Sequence, residues 1–338
     1  MWYIVVVGML TVVGLESPVQ QLLRRMRAAS PAWTSCQLIA ATSELAADRR
    51  VASVLAPRLV EAWNAHRPQP PIDIAGVQAI FAAKQAAIHS IDVVYHSTIR
   101  QRGSASSATE SSWWTHWRES DEMVQRDVAY EQSGLMPGTA DPTAMTWRRS
   151  QGRTRFSRAG GPLRAVDAAG ASMLGVEDSW LGAGSCLGRR ARGTSHAVEH
   201  DLTSLLARLP RDVAVVESAL SLVSGRPTVV LRLGWQDVCW IYLDPARGFS
   251  PLRIDRVLRS EGHIMLSRTD LSDFNQVSSG LWLPWRIRQR KYQIESNCFG
   301  PGDDPPGKWT LELDLRAETI RINAPILWVG VNPGDWVP

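Results

Sequence analysis

A chain of 338 residues, 44% hydrophobic and 21% charged, carries enough apolar material for one large domain or two ordinary ones and is too apolar for wholesale disorder. Its net charge is +4 with pI ≈ 9.1, and only three of its 37 basic residues are lysine (Lys84, Lys291, Lys308). The arginines are spread from Arg24 to Arg321 without a dense stripe, which argues against a nucleic-acid partner.

Trp2 to Leu15 is an uncharged apolar run, WYIVVVGMLTVVGL. It is shorter than the roughly 20 residues a membrane-spanning helix needs, and it fits the apolar region of a secretory signal better. Residues 1–16 are therefore read as a signal-like or membrane-anchor segment, which places the protein in the periplasm or cell envelope. No Lys or Arg precedes the run, and a buried N-terminal strand is the competing reading. Ser17-Pro18 opens a helix, with Val19, Leu22, Leu23 and Met26 at helical spacing. A second alanine-rich helical region covers Cys36 to Trp63, and Arg-Pro-Gln-Pro-Pro at 67–71 is a stiff linker. Residues 17–71 form a helical extension, and 72–338 the main domain.

Asp73 caps a further helix whose apolar stripe is Ile74, Val77, Ile80, Phe81 and Ile88. It leads into a strand, Ile91 to Arg100. Trp113–Arg118 and Met123–Tyr130 read as a hairpin, and Met145–Arg158 as two strands turning at Ser-Gln-Gly. Gly160–Arg192 is poorly patterned and Ser195–Leu209 is helical. From Gly225 onward short alternating runs follow one another: Thr228–Leu233, Val238–Leu243, Leu252–Arg259, His263–Phe274 and Leu281–Ile287. Tight breaks part them, Asp244-Pro245 and Arg247-Gly248 among them, so they form an antiparallel meander; parallel strands would need long crossovers. After a loop at Asn297–Gly307, Trp309, Leu311, Leu313 and Leu315 alternate against Thr310, Glu312, Asp314 and Arg316, and Ile320 and Ile322 continue the strand.

The chemistry-bearing patterns are few. His196-Ala-Val-Glu199-His200 matches the inverted zinc-peptidase string, with two histidines on one helix face and a glutamate to polarise water. Both histidines, however, point away from the stripe Val198, Leu202, Leu205 and Leu209, and no later helix offers a third carboxylate. A zinc metallopeptidase is thus a remote alternative. No nucleophile elbow, phosphate loop or dinucleotide fingerprint is present, so no catalytic residue, metal or cofactor is assigned. Asp270, Asp273 and Glu261 read as solvated turn carboxylates. Cys36, Cys186, Cys239 and Cys298 are widely spaced, which leaves disulfides and free buried thiols equally open. Fifteen tryptophans against five tyrosines and five phenylalanines suit a broad sheet or an apolar cavity. Arg286-Ile-Arg-Gln-Arg-Lys291 is the densest basic run; alternation sets Arg286, Arg288 and Arg290 on one face, in solvent or against phospholipid headgroups or an acidic partner.

Several stretches together resemble the LolA-like superfamily of outer-membrane lipoprotein carriers, in a divergent envelope form. They are the helix-into-strand at Ile88–Ile99, Gly225-Arg-Pro-Thr-Val-Val-Leu-Arg-Leu, Tyr242-Leu-Asp-Pro, Asp273-Phe-Asn-Gln-Val-Ser-Ser-Gly-Leu-Trp-Leu-Pro and Ile322-Asn-Ala-Pro-Ile. The likeness runs from about Ile72 to Ile326. It implies a mainly β (α+β) fold, a curved antiparallel half-barrel sheet with covering helices, here preceded by the helical extension. It also implies an apolar cavity that takes acyl chains, and so a non-enzymatic protein whose partner is a lipid or lipoprotein acyl chain. The candidate lining residues are Val229, Leu231, Leu233, Trp240, Tyr242, Trp309, Leu311 and Leu313. The alternative is an envelope sensor or interaction module of the same fold, with a partner protein contacted by the N-terminal helices and the Arg286–Lys291 run.

Overall fold

The chain folds, in a computed structural model, around one continuous antiparallel sheet. The structure describes residues 72–102, 108–120, 123–130, 145–150, 153–158, 164–165, 214–234, 238–260, 263–278, 281–294, 299–305 and 308–326. The signal-like segment, the helical extension with its linker, the 195–209 stretch and Cys36, Cys186 and Cys298 lie outside these residues.

Helix α1 (Ile74–Ala86) leads into β1 (Ser90–Arg102), β2 (Ala108–Ser120), β3 (Met123–Tyr130), β4 (Met145–Ser150), β5 (Arg153–Arg158) and β6 (Arg164–Ala165). The second half holds β7 (Ala214–Val223), β8 (Arg226–Leu233), β9 (Val238–Asp244), β10 (Ser250–Ser260), β11 (His263–Ser278), β12 (Leu281–Ile294) and β13 (Leu311–Ile322). The strands lie in the order β6-β5-β4-β3-β2-β1-β13-β12-β11-β10-β9-β8-β7. Two meanders are thus joined along a single seam, the pairing of the first strand with the last. The sheet is curved and open, as the half-barrel expectation has it; β6 and β7 are its edges among the described residues.

Local chemistry explains the turns. Ser224 (φ 51°) and Gly225 (φ 74°) form a two-residue hairpin turn with both residues left-handed, the geometry that follows strand twist. At the Asp244-Pro245 break the Asp244 carboxylate accepts a hydrogen bond from the Ala246 N–H at 3.0 Å, and Gly248 (φ 58°) closes the short turn. Strand β7 has no counterpart among the expected strands. Its alternation is broken by a bulge: Val216 pairs with Leu231 and Leu220 with Val229, so Glu217, Ser218 and Ala219 stand opposite Val230 alone. Strands β11 and β12 also run past their expected ends, Phe274 and Ile287, to Ser278 and Ile294.

The expected cap of α1 is present, with the Gly76 N–H donating to Asp73 Oδ1 at 2.7 Å. Val77 and Phe81 are fully buried in the main core, and Lys84 is buried too, donating to Ser250 Oγ at 3.1 Å. Ile88 packs with Leu281, Leu283, Ile320 and Ile322, which ties the helix exit to the sheet. Asn323 holds the same corner from the other end of the chain. Its side chain accepts from the His89 N–H at 2.7 Å and donates to the Ala87 carbonyl at 2.7 Å. Its backbone is left-handed at φ 56°, which asparagine tolerates better than alanine. Replacing Asn323 by alanine is expected to lower stability by about 2 kcal/mol; denaturant unfolding checks this, with Asn323→Gly recovering the backbone share only.

Candidate functional site

In an antiparallel sheet, directly paired residues share a face and neighbours along a strand alternate. The register therefore sorts every strand side chain. Leu231 pairs with Ile241, Ile241 with Ile254, Ile254 with Thr269, Thr269 with Gln289, Gln289 with Leu313, and Leu313 with Ile99. Leu271, Ile287, Leu315, Ser97 and Trp113 make a parallel row on the same side. This side is dominated by apolar groups, with Leu231, Ile287, Leu315, Val93 and Tyr95 completely buried.

Five of the eight expected lining residues share this face: Val229, Leu231 and Leu233 on β8, and Leu311 and Leu313 on β13. They form two groups separated by five strand spacings, about 24 Å along the sheet, so only curvature can bring them toward a common space. Trp240 and Tyr242 do not belong with them. Trp240 pairs with Arg232 and Asp255, and Tyr242 with Val230 and Arg253, which turns both to the opposite face. There the loop 299–305 covers them. The Gly302 N–H donates to the Tyr242 hydroxyl at 2.8 Å, that hydroxyl donates to Asp255 at 3.2 Å, and Phe299 lies 6.1 Å from the Trp240 ring. Burial and the neighbouring Asp255 charge raise the Tyr242 hydroxyl pKa far above its ordinary value. Trp309 precedes β13, and the Arg102 guanidinium stacks 4.0 Å above its ring.

The opposite face carries rows of paired charge. Arg286 holds Asp314 with two bonds, Nε to Oδ1 at 2.9 Å and Nη2 to Oδ2 at 2.7 Å. Arg290 donates to Glu312 at 2.6 Å, and Arg288 lies 3.9 Å from both carboxylates. The expected grouping of the three arginines on one face is present. Their setting is half-exposed and paired: the arginines keep 25–31% side-chain exposure and answer carboxylates with only 6% and 7%. The Asp270 expectation also changes, since it lies within β11 and accepts from Arg253 at 2.8 Å. Farther along, Arg268 grips Asp255 through Nε at 2.8 Å and Nη2 at 2.9 Å, both side chains almost fully buried. On β2 and β3, Arg118 and Asp127 repeat the arrangement at 2.6 Å.

These contacts set the carboxyl groups apart. Burial alone would raise Glu312 and Asp314, but the bonds and charges of Arg290 and Arg286 hold both below their ordinary values. His116 does the same for Asp92. Asp255 is the reverse case: burial pushes it up, and Arg268 pulls it only part of the way back. Burial pushes the Cys239 thiol up to about 11 against the opposing pull of Arg256, so at neutral pH it is protonated.

The chain matches no family profile and no curated protein. Three solved structures are similar to it over most of their length. One is a domain from Vibrio parahaemolyticus provisionally assigned to outer membrane lipoprotein sorting, 12% identical, covering 76% of this chain and 94% of its own, at TM-score 0.40. A second is a DUF1329 family protein from Desulfovibrio piger, 10% identical, covering 77% and 95%, at TM-score 0.41. The third is a LolA-superfamily protein from Nitrosomonas europaea, 9% identical, covering 74% and 94%, at TM-score 0.36.

The depressed carboxyls stabilise the fold fully above the unfolded carboxylate range near pH 4, and that stability is lost as pH falls through their lower folded values. Unfolding midpoints are expected to drop below about pH 4, and Asp314→Asn to lower the midpoint at pH 7 while shrinking the acid drop. Arg268→Ala leaves a buried carboxylate without its main partner and is expected to cost about 3–5 kcal/mol, whereas pairing Arg268→Met with Asp255→Leu restores most of it. Urea titrations of the single and double variants measure both effects.

Proposed function

We propose that this is a non-enzymatic protein of the cell envelope that holds the acyl chain of a lipid or lipoprotein against the apolar face of its curved sheet. The observation that carries the reading is the continuity of that face. Leu231, Ile241, Ile254, Leu271, Ile287, Leu313, Leu315 and Tyr95 come from seven different strands yet share one side. An apolar face of such breadth on an open, curved sheet suits a ligand bound by burial, at roughly 25 cal/mol per Å² of apolar area, with few polar contacts. Val229, Leu231, Leu233, Leu311 and Leu313 are the lining residues of this reading. Trp240 and Tyr242, turned to the other side, have no part in it.

The periplasmic or envelope location belongs to the same reading. Its support is the apolar run at residues 2–15, which would either direct export or tether the protein to the cytoplasmic membrane. Among the described residues no helix is long and apolar enough to cross a membrane.

A second reading, an envelope interaction module, has its own support in Arg286, Arg288 and Arg290, whose side chains keep 25–31% exposure on the charged face. An acidic partner protein would add to the carboxylates already there. The zinc-peptidase string His196–His200 lies outside the described residues.

Native mass spectrometry of protein released without detergent is expected to show an acyl-bearing adduct. Palmitate added to delipidated protein should change tryptophan emission, and Leu313→Glu, which sets a charge into the face, should weaken that response at least tenfold. A lipid-free protein whose emission ignores palmitate would overturn the acyl reading and leave the partner-protein reading in place.

A further inference from the structure

Two hydroxyl groups lie buried on the apolar face, beside Trp113 and Tyr95. Ser97 on β1 and Thr115 on β2 are both completely buried, at 0% exposure. Neither Ser97 Oγ nor Thr115 Oγ1 has a hydrogen-bond partner among the described residues. The register makes them diagonal neighbours: Ser97 pairs with Trp113, and Thr115 with Tyr95. On their flanks Ser97 faces Leu315 and Thr115 faces Val128. A buried hydroxyl left without a partner is costly, and native proteins satisfy nearly all such groups. Two of them side by side on this face mark one polar foothold.

We infer that Ser97 and Thr115 receive the oxygen-bearing end of the ligand, the carbonyl of an acyl ester or carboxyl group, while its hydrocarbon chain runs over the leucines and isoleucines beyond. The inference rests on the acyl-binding reading and narrows it, since a bare hydrocarbon would gain nothing from these two residues. Diagonal neighbours stand about 7–8 Å apart at Cβ, and each hydroxyl reaches inward from there. One carbonyl oxygen between them accepts from both at ordinary hydrogen-bond length, about 2.8 Å. A carbonyl has two lone pairs for such a pair of donors and needs no charge on the protein.

The test compares two probes of equal chain length, methyl laurate and dodecane, titrated into full-length delipidated protein and followed by tryptophan emission. The variant Ser97→Ala/Thr115→Val removes both hydroxyls and keeps the bulk of each side chain. It is expected to bind methyl laurate about tenfold more weakly, the loss of one to two hydrogen bonds, and to bind dodecane within twofold of the original protein. Restoring one hydroxyl with Ser97→Ala/Thr115→Ser should recover part of the loss. In the absence of lipid, Thr115→Val should leave the melting temperature unchanged or raise it, because an unsatisfied hydroxyl has been removed. A fall in melting temperature, as expected if internal water satisfies these groups, overturns the inference. So does an equal loss for both probes, or no loss for either, and in these cases acyl binding itself stands. An original protein that binds neither probe removes the acyl-binding reading along with this one.

Discussion

The structure depends on β13 being paired on both sides. It is the last of the described strands in sequence but lies in the interior of the sheet, with β1 on one edge and β12 on the other, and among the described residues no other strand links the two meanders. Its composition meets two demands at once. Leu313 and Leu315 supply the apolar face, while Glu312 and Asp314 on the other side are nearly as buried. Carboxylates in such places persist only when matched. The match comes from β12, where Arg286, Arg288 and Arg290 alternate at the same period, and from Arg100 on β1, which reaches Glu312 at 3.2 Å. Hydrophobic burial and ion pairing therefore hold the same seam from opposite sides, and both fix its register: a slip of one residue would turn leucines toward arginines and carboxylates toward the core.

The same division of faces determines where function can reside. The acyl-chain proposal concerns the apolar side of the sheet, and the partner-protein proposal the charged side. The loop at 299–305 sharpens the contrast by roofing Trp240, Tyr242 and the Arg268–Asp255 pair, so that two aromatic residues in the middle of a strongly apolar strand serve packing on the charged side.

Much of this was legible in the residues, and the rest was hidden for physical reasons. Strands with clean alternation, such as β1, β8 and β13, show their faces directly, and the pairs Asp244-Pro245 and Arg247-Gly248 mark a turn because their backbone preferences allow little else. Strand β7 escapes notice because its bulge breaks the two-residue period on which strand recognition relies. Trp240 and Tyr242 lie on the other face from the leucines they are grouped with in sequence, because β9 is apolar on both sides, Val238 to Leu243, and hydrophobicity cannot tell one face from the other; only pairing with Arg232 and Asp255 does. The burial of Glu312 and Asp314 is a property of two strands together, and a single alternating strand reads as one wet side and one dry. The union of β1 with β13 spans more than two hundred residues of chain and leaves no local trace.

The bulge in β7 has a consequence for the molecule as a whole. Edge strands of an open sheet can pair with further copies, and β7 is an edge among the described residues. At this rim three consecutive residues, Glu217, Ser218 and Ala219, buckle opposite a single partner, and Glu217 is anchored to Arg232 at 2.8 Å. The outermost strand is thereby kinked and carries a fixed charge at the kink. An incoming strand would find no straight stretch to zip along at this edge.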